Sequence, residues 1–283
     1  MIIIHLENGR LGNQLIQYIG LKKYFPQKKL IFIGGDQLNQ TFDSINTHFI
    51  TKTYIKRWMP YILLEKLLYL FARLRIVGII TEDNTLKNFQ ITIRKGLLWK
   101  IFLTKNVFFQ HKNIIENISY VPVLKPYLIS KAKSWFKKKK IDIQKENLIF
   151  VHIRRGDYVN WPSNKFPAIL TSNWYNRAMN LMSKRIDNPV FILMSDDQYY
   201  LRDVYKENKQ LIISNNTAYV DLTIMSLCSS GILSASSFAF CGALLAKINN
   251  KENYFIAPKY WFGFQLKKWA PKNIKIDWIT YSE

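Results

Sequence analysis

Residues Asn147 to Val159 read NLIFVHIRRGDYV. An almost unbroken apolar run, Leu148 to Ile153, stops at two arginines, a glycine and an aspartate. A short apolar run bounded by turn residues reads as a buried strand, and parallel sheets place ligands at the carboxyl ends of such strands. Either the chain leaves the core for water here, or the strand delivers charge to an anionic ligand. Side chains alternate on an extended strand, so His152 and Arg154 share one face and Arg155 takes the other. A guanidinium keeps its charge and bridges two phosphate oxygens with a planar fork. Gly156 permits the tight turn, and Asp157 is placed to orient an arginine or hold a ligand hydroxyl. The plainer account is a surface Arg–Asp pair closing a turn, worth under ~1 kcal/mol.

Outward from this stretch the second half keeps an α/β rhythm. A helix near residues 172–185 leads to the strand PVFILMS, and a helix near 198–208 leads to QLIIS. A helix near 219–228, the short strand GILSA and a helix through 239–248 complete the series. Strands alternating with helices imply a mostly parallel sheet. The first half opens in the same way, with a strand at residues 1–6, a glycine loop, a helix over 13–25 and the strand LIFIGG. The lysine run 137–140 reads as a solvated helix end or an inter-domain boundary. The expected division is 1–143 and 144–283.

Three more polar clusters sit at expected strand ends. In ILMSDDQ, Asp196 and Asp197 suit a nucleobase or ribose, while Ser195 would equally well cap the next helix. The two aspartates are adjacent and do not form a separated D-x-D pair, so no chelated metal is expected. In GILSASSFAFCGALL, Ser234, Ser236 and Ser237 precede an apolar helix. Hydroxyls and free N–H groups at a helix start suit an anion, although an ordinary serine cap has the same pattern. The N-terminal loop ENGRLGNQ puts Gly9, Gly12, Asn13 and Gln14 after the first strand but lacks the third glycine of a dinucleotide fingerprint.

Taken in order, these motifs resemble the α-1,2-fucosyltransferases of bacterial surface-polysaccharide loci and their animal relatives. GRLGNQ matches G-x-x-G-N-Q, HIRRGDY matches H-x-R-R-G-D-Y, MSDDQ supplies S-D-D, and DLTIMSLC matches D-L-x-x-M-S-x-C. The pattern S-S-F-S-W-W-G-A is SSFAFCGA here, so Ala239, Phe240 and Cys241 replace a serine and two tryptophans. The resemblance implies a GT-B-like α/β enzyme of two facing Rossmann-like domains. The N-terminal domain would take the acceptor side and the C-terminal one GDP-β-L-fucose. It implies a metal-independent, inverting transfer of L-fucose to a galactoside hydroxyl in α-1,2 linkage, in O-antigen or other surface glycan synthesis, with no cofactor beyond the donor. Arg154 would meet the leaving diphosphate's charge, and Asp157 or His152 would be the base. Gly12, Asn13, Gln14, Arg155, Asp196, Asp197, Ser236, Ser237 and Phe238 would bind substrate.

Composition bounds these expectations. With 48% hydrophobic residues in 283, the chain is long and apolar enough for one large domain or two smaller ones. Cys228 and Cys241 make no disulfide framework, and the N-terminus lacks a basic, long-enough leader, so the expected compartment is the cytoplasm. Forty-one basic residues against 19 acidic give a net charge of +22, which speaks of anionic partners. A related donor such as GDP-colitose is the alternative within enzymes, and a polyanion-binding protein the alternative outside them. No nucleic-acid motif organises the charge, so no specific nucleic acid is expected. The apolar segment 55–80 carries Glu65, Lys66, Arg73 and Arg75, too many charges for a membrane span. It reads as a core helix, or as a basic amphipathic helix on an anionic membrane with Trp58 and Tyr61 at the interface. On the second reading the protein is peripheral at the inner face of the cytoplasmic membrane, beside a lipid-diphosphate-linked acceptor.

Overall fold

The computed structural model describes residues 1–283 except 44, 46, 84–88, 117, 119, 207–210, 251 and 270–273. The chain divides into two compact units, Met1–Lys125 with Pro271–Lys275, and Pro126–Ala270 with Ile276–Glu283. Positions 207 and 208 of the helix expected to reach Asn208, and Gln210 of QLIIS, lie outside the described residues.

The main sheet of the N-terminal unit has the strands β1 (Ile2–Leu6), β2 (Lys29–Ile33), β3 (His48–Ile50), β4 (Val77–Asp83), β5 (Gln90–Arg94) and β6 (Leu98–Lys105). They lie in the order β3-β2-β1-β6-β4-β5, parallel except for β5, which runs antiparallel to β4 at one edge. Helix α1 (Leu11–Tyr24) follows β1 and is buried along most of its length, which is why its sequence shows little amphipathic contrast. The segment 55–80 is not the single core helix that its apolar content suggests. Pro60 opens α2 (Tyr61–Arg73), Arg75 ends it with a left-handed φ of 57°, and the chain enters β4. No residue of α2 is fully buried: Leu64, Leu68 and Ala72 pack on the sheet while the other face meets solvent.

The C-terminal unit begins with α3 (Pro126–Lys138), so the division falls at Lys125/Pro126 rather than near residue 143. Leu128, Ala132 and Phe136 are buried, and the helix packs against α6 (Ala218–Leu227) of the same unit. The lysine run is the exposed end of that helix, with Lys140 left-handed just beyond it. The strands of its main sheet are β7 (Asn147–Ile153), β8 (Pro189–Ser195), β9 (Ile212–Ile213), β10 (Ser230–Ile232), β11 (Phe255–Pro258) and β12 (Thr280–Ser282). Their order is β9-β8-β7-β10-β11-β12, every pair parallel. The helices α4 (Ser172–Ser183), α5 (Gln198–Tyr205), α6 and α7 (Ser237–Asn249) connect them. From Leu148 to Ile153 every residue of β7 is buried, the mark of a central strand covered on both faces. Ile149, Val151 and Ile153 join Trp174, Tyr175, Leu193 and Ile256 in one core. A buried aliphatic or aromatic side chain contributes roughly 1.5–3 kcal/mol, so this strand is among the firmest places to mount a site.

Candidate functional site

The strand order fixes where the site lies in the C-terminal unit. The first strand, β7, is central; the chain builds β8 and β9 on one side, then crosses to β10 on the other. At such a reversal, between the carboxyl ends of β7 and β10, open α/β sheets form the crevice in which their ligands bind.

Three chain segments converge there. Ile153 of β7 pairs with Ser195 of β8, so the next residues along, Arg154 and Asp196, emerge side by side. Arg154 Nη1 donates to Asp196 Oδ2 at 2.6 Å, and Nη2 pairs with Asp157. Two carboxylates thus hold one guanidinium, whose five N–H donors still leave some to aim at a ligand. The Arg155 backbone N–H donates to Asp196 Oδ1 at 2.9 Å, and its side chain donates to Asp197 Oδ2 at 3.2 Å while stacking on Tyr200, 3.8 Å from the ring centre. Strand alternation does not carry past Ile153: both arginines turn to the loop after β8. A Cβ at Gly156 would stand 2.4 Å from Asp196 Oδ2, so any larger residue there must displace the carboxylate that holds Arg154. Asp197 also caps α5, accepting from the Tyr200 N–H at 2.9 Å, and Ser195 accepts from the Asp197 N–H at 3.0 Å. The capping role of this loop therefore belongs to Asp197 and not to Ser195.

On the β10 side, His152 Nδ1 lies 2.7 Å from the Ser234 hydroxyl, with the Phe238 ring 5.4 Å from the imidazole. Burial, and then the charge of Arg154, lowers the His152 pKa to about 3. The imidazole is neutral at ordinary pH and a poor proton acceptor, which weakens it as a base and suits it to orienting Ser234. Ser236 caps α7 by accepting from the Phe238 N–H at 3.3 Å, and Ser237 opens the helix, half-buried. Ala239, Phe240 and Cys241 are all buried in the packing of α7, so the departure from the S-W-W pattern lies in the core.

Two groups here escaped the sequence reading. The Tyr158 hydroxyl donates to the Ala235 carbonyl at 2.6 Å, tying the Arg-Arg-Gly-Asp loop to the β10 loop. Burial pushes its pKa up to about 12, so it stays a donor. Asp221 accepts from the Ser214 hydroxyl at 2.5 Å, and Asn216 donates to Ser214 at 2.8 Å. Gln198 donates to the carbonyls of Ser195 and Ser214 at 3.1 and 3.0 Å, joining the ends of β8 and β9. Burial raises Asp221 to about 7 against the opposing effect of its hydrogen bonding with Ser214 and Asn216. Tyr158 and Asp221 both stand inside recognisable motifs; partners 77 and 7 residues away gave no signal of their roles.

The loop after β1, in the other unit, is built differently. Gly9 has φ 83° and faces Asn13, whose side-chain Oδ1 accepts from Gln110 Nε2 at 3.0 Å. Gln14 is buried: its amide donates to Glu7 and to the Gly9 carbonyl and accepts from the Leu38 N–H at 3.1 Å. Gln14 therefore shapes the loop through both ends of its amide. Gly12 is buried in the first turn of α1, and Asn13 is half-buried.

The likeness to known proteins covers the chain. It is 22% identical over 295 aligned residues to the O-antigen biosynthesis glycosyltransferase WbnK of Escherichia coli, spanning 90% of this chain and 93% of that one. It is 34% identical over 122 residues to an alpha-1,2-colitosyltransferase of Escherichia coli, covering 41% of each. Among solved structures, the NodZ alpha-1,6-fucosyltransferase soaked with GDP-fucose superposes with a TM-score of 0.52 at 11% identity, over 86% of this chain and 92% of that one. The fold is GT-B-like, α/β with mostly parallel sheets. Residues 6–282 match Glycosyl transferase family 11, and the chain belongs to that family of α-1,2-fucosyltransferases.

Proposed function

We propose that this protein transfers L-fucose from GDP-β-L-fucose to a galactoside hydroxyl in α-1,2 linkage during O-antigen or other surface-glycan synthesis. The observation that carries the reading is the Arg154 guanidinium at the β7–β10 crevice, held by Asp157 and Asp196 beside the start of α7. In this reading the C-terminal unit takes the GDP-sugar and the N-terminal unit the acceptor. The acceptor hydroxyl attacks the anomeric carbon from the face opposite the diphosphate, inverting it. The bond to the diphosphate breaks, and Arg154, Ser236 and Ser237 meet the growing charge on GDP. Preorganised donors of this kind contribute a few kcal/mol each to a transition state. Asp157 is the better candidate for the hydroxyl proton, because it is exposed and bonded on one oxygen while His152 is buried and held neutral. Arg155 serves to fix Asp197, with Asp196 and Asp197 close enough to the crevice to reach a ribose or base. No cofactor and no metal take part. The acceptor is lipid-diphosphate-linked, and the enzyme is peripheral at the inner face of the cytoplasmic membrane.

The 34% identity to a colitosyltransferase favours a second reading, in which the donor is GDP-colitose, one hydroxyl poorer. A site bonding that hydroxyl discriminates strongly against the donor lacking it. Incubation with each GDP-sugar and a panel of galactosides, with and without EDTA, followed by linkage determination, tests both. Fucose in α-1,2 linkage, unaffected by EDTA, is the expected product; no transfer from either donor would sink the reading.

A further inference from the structure

An open cavity of about 850 Å³ lies in the N-terminal unit among α2, β4 and β5. Lys66, Arg73, Arg75, Arg94, Lys95 and Lys105 line it, and no carboxylate is among the described residues that do. Six like charges around one concavity repel one another and concentrate counter-anions there. The backbone holds the arrangement in place. The Arg75 carbonyl accepts from the Leu97 N–H at 2.7 Å and the Ile76 carbonyl from the Leu98 N–H at 2.7 Å, clamping residues 95–99, the turn into β6, to the end of α2.

Beside the cations the same elements offer apolar side chains to water. Leu97 is 80% exposed, Trp99 65%, Leu74 60%, and Trp58, just before the helix, 77%. At 3.6 residues per turn, Ile62, Leu63, Leu70 and Leu74 fall on the side of α2 opposite the sheet-packed Leu64, Leu68 and Ala72, with Lys66 and Arg73 among them. Several large apolar side chains exposed beside a cluster of charge mark an interaction site. The pairing of chemistries selects the partner. A bilayer surface offers phosphates to the cations and an acyl boundary to the leucines and tryptophans. A second copy would set two rings of six cations against each other, and a nucleic acid would leave Leu97 and Leu74 in water. No helix among the described residues is long and apolar enough to cross a membrane, so contact would be with the surface.

We propose that α2 and residues 95–99 form a docking surface for an anionic phospholipid bilayer, with lipid phosphates entering the six-cation cavity. This deepens the peripheral-membrane reading above and is independent of the donor assignment. Flotation with phosphatidylcholine vesicles, with and without phosphatidylglycerol, tests it. The protein is expected to float only with the anionic vesicles. The charge-reversal pair Arg73→Glu/Lys95→Glu should lower that affinity at least about tenfold. The apolar pair Leu97→Ser/Trp99→Ser should lower it by about tenfold as well. Both variants change exposed side chains and should keep the wild-type melting temperature and transfer to a soluble acceptor. Unchanged flotation of either variant overturns the proposal, as does equal binding to neutral vesicles. Retention on RNA without flotation overturns it too, as does a concentration-dependent dimer that the apolar pair abolishes. Absence of transfer by the wild-type chain would count against the proposed function and leave the flotation result standing.

Discussion

After β1 the chain runs ENGRLGNQ, and after β7 it runs RRGDY. Each segment leaves a buried parallel strand through a glycine and carries polar side chains. In the first, the polar groups turn inward: Gln14 is spent on Glu7, Gly9 and Leu38, and Glu7 accepts from the Gly35 N–H at 2.6 Å and pairs with Lys52. In the second, the charges stay at the crevice, two guanidiniums against Asp157, Asp196 and Asp197. The lesson is that a strand-end position offers chemistry only where the neighbouring loops bring counter-groups that hold a side chain without consuming it. The loop after β8 does that for Arg154; the Asp36–Thr41 helix, by contrast, takes up Gln14 through Leu38.

The sharpest break in this comparison is Arg154→Ala. It should cut kcat for fucosyl transfer by about 10²–10³-fold, as removal of one preorganised donor does, while circular dichroism shows a folded protein. Turnover near wild type would move the site elsewhere. Gln14→Ala should do the reverse. With buried partners left unsatisfied, the N-terminal unit should lose about 1–3 kcal/mol in denaturant unfolding, while turnover per folded molecule holds. A loss of kcat without a loss of stability would make that loop part of the site.

The smallest effect separates the units by acid. His5, bonded to Thr104 and Gln17, is lowered by burial from 6.5 to about 4, so its stabilisation is present above about pH 6.5 and lost as pH falls. The N-terminal unit should therefore weaken by about 1 kcal/mol between about pH 6.5 and 5.5. In the C-terminal unit His152 has the same sign, but Asp221, raised to about 7, has the opposite one. Its folded form holds a proton that the unfolded chain releases, so its contribution is present at low pH and lost as pH rises through about 7. The two nearly cancel over this interval. Hydrogen exchange read peptide by peptide should show the N-terminal unit loosening first, and Asp221→Asn should bring the other unit down with it.

The sheets, the helix positions and the strand-end clusters were legible because apolar runs and turn residues are local signals. For the segment 55–80 the core-helix reading fails and the amphipathic one stays open, because hydropathy counts apolar side chains without saying which face is covered. Leu64 and Leu63 look alike in sequence, yet one packs on the sheet and the other meets solvent. Arg154 was found as a charge, but its link to Asp196 depends on the register of β7 against β8, which the alternation within one strand cannot give. Gln14 looked available because the Leu38 N–H that occupies it comes from another element.

The central position of β7 has a further consequence, for how the chain folds. One edge of this strand is covered by Pro189–Ser195, but its other edge pairs only with Ser230–Ile232. Parallel pairing between such distant segments forms slowly, and unpaired apolar strands are prone to aggregate meanwhile. During synthesis, LIFVHI therefore emerges long before it can be sealed on both edges. The segment that places the arginines most firmly in the finished molecule is the one most exposed to misassembly while it is being made.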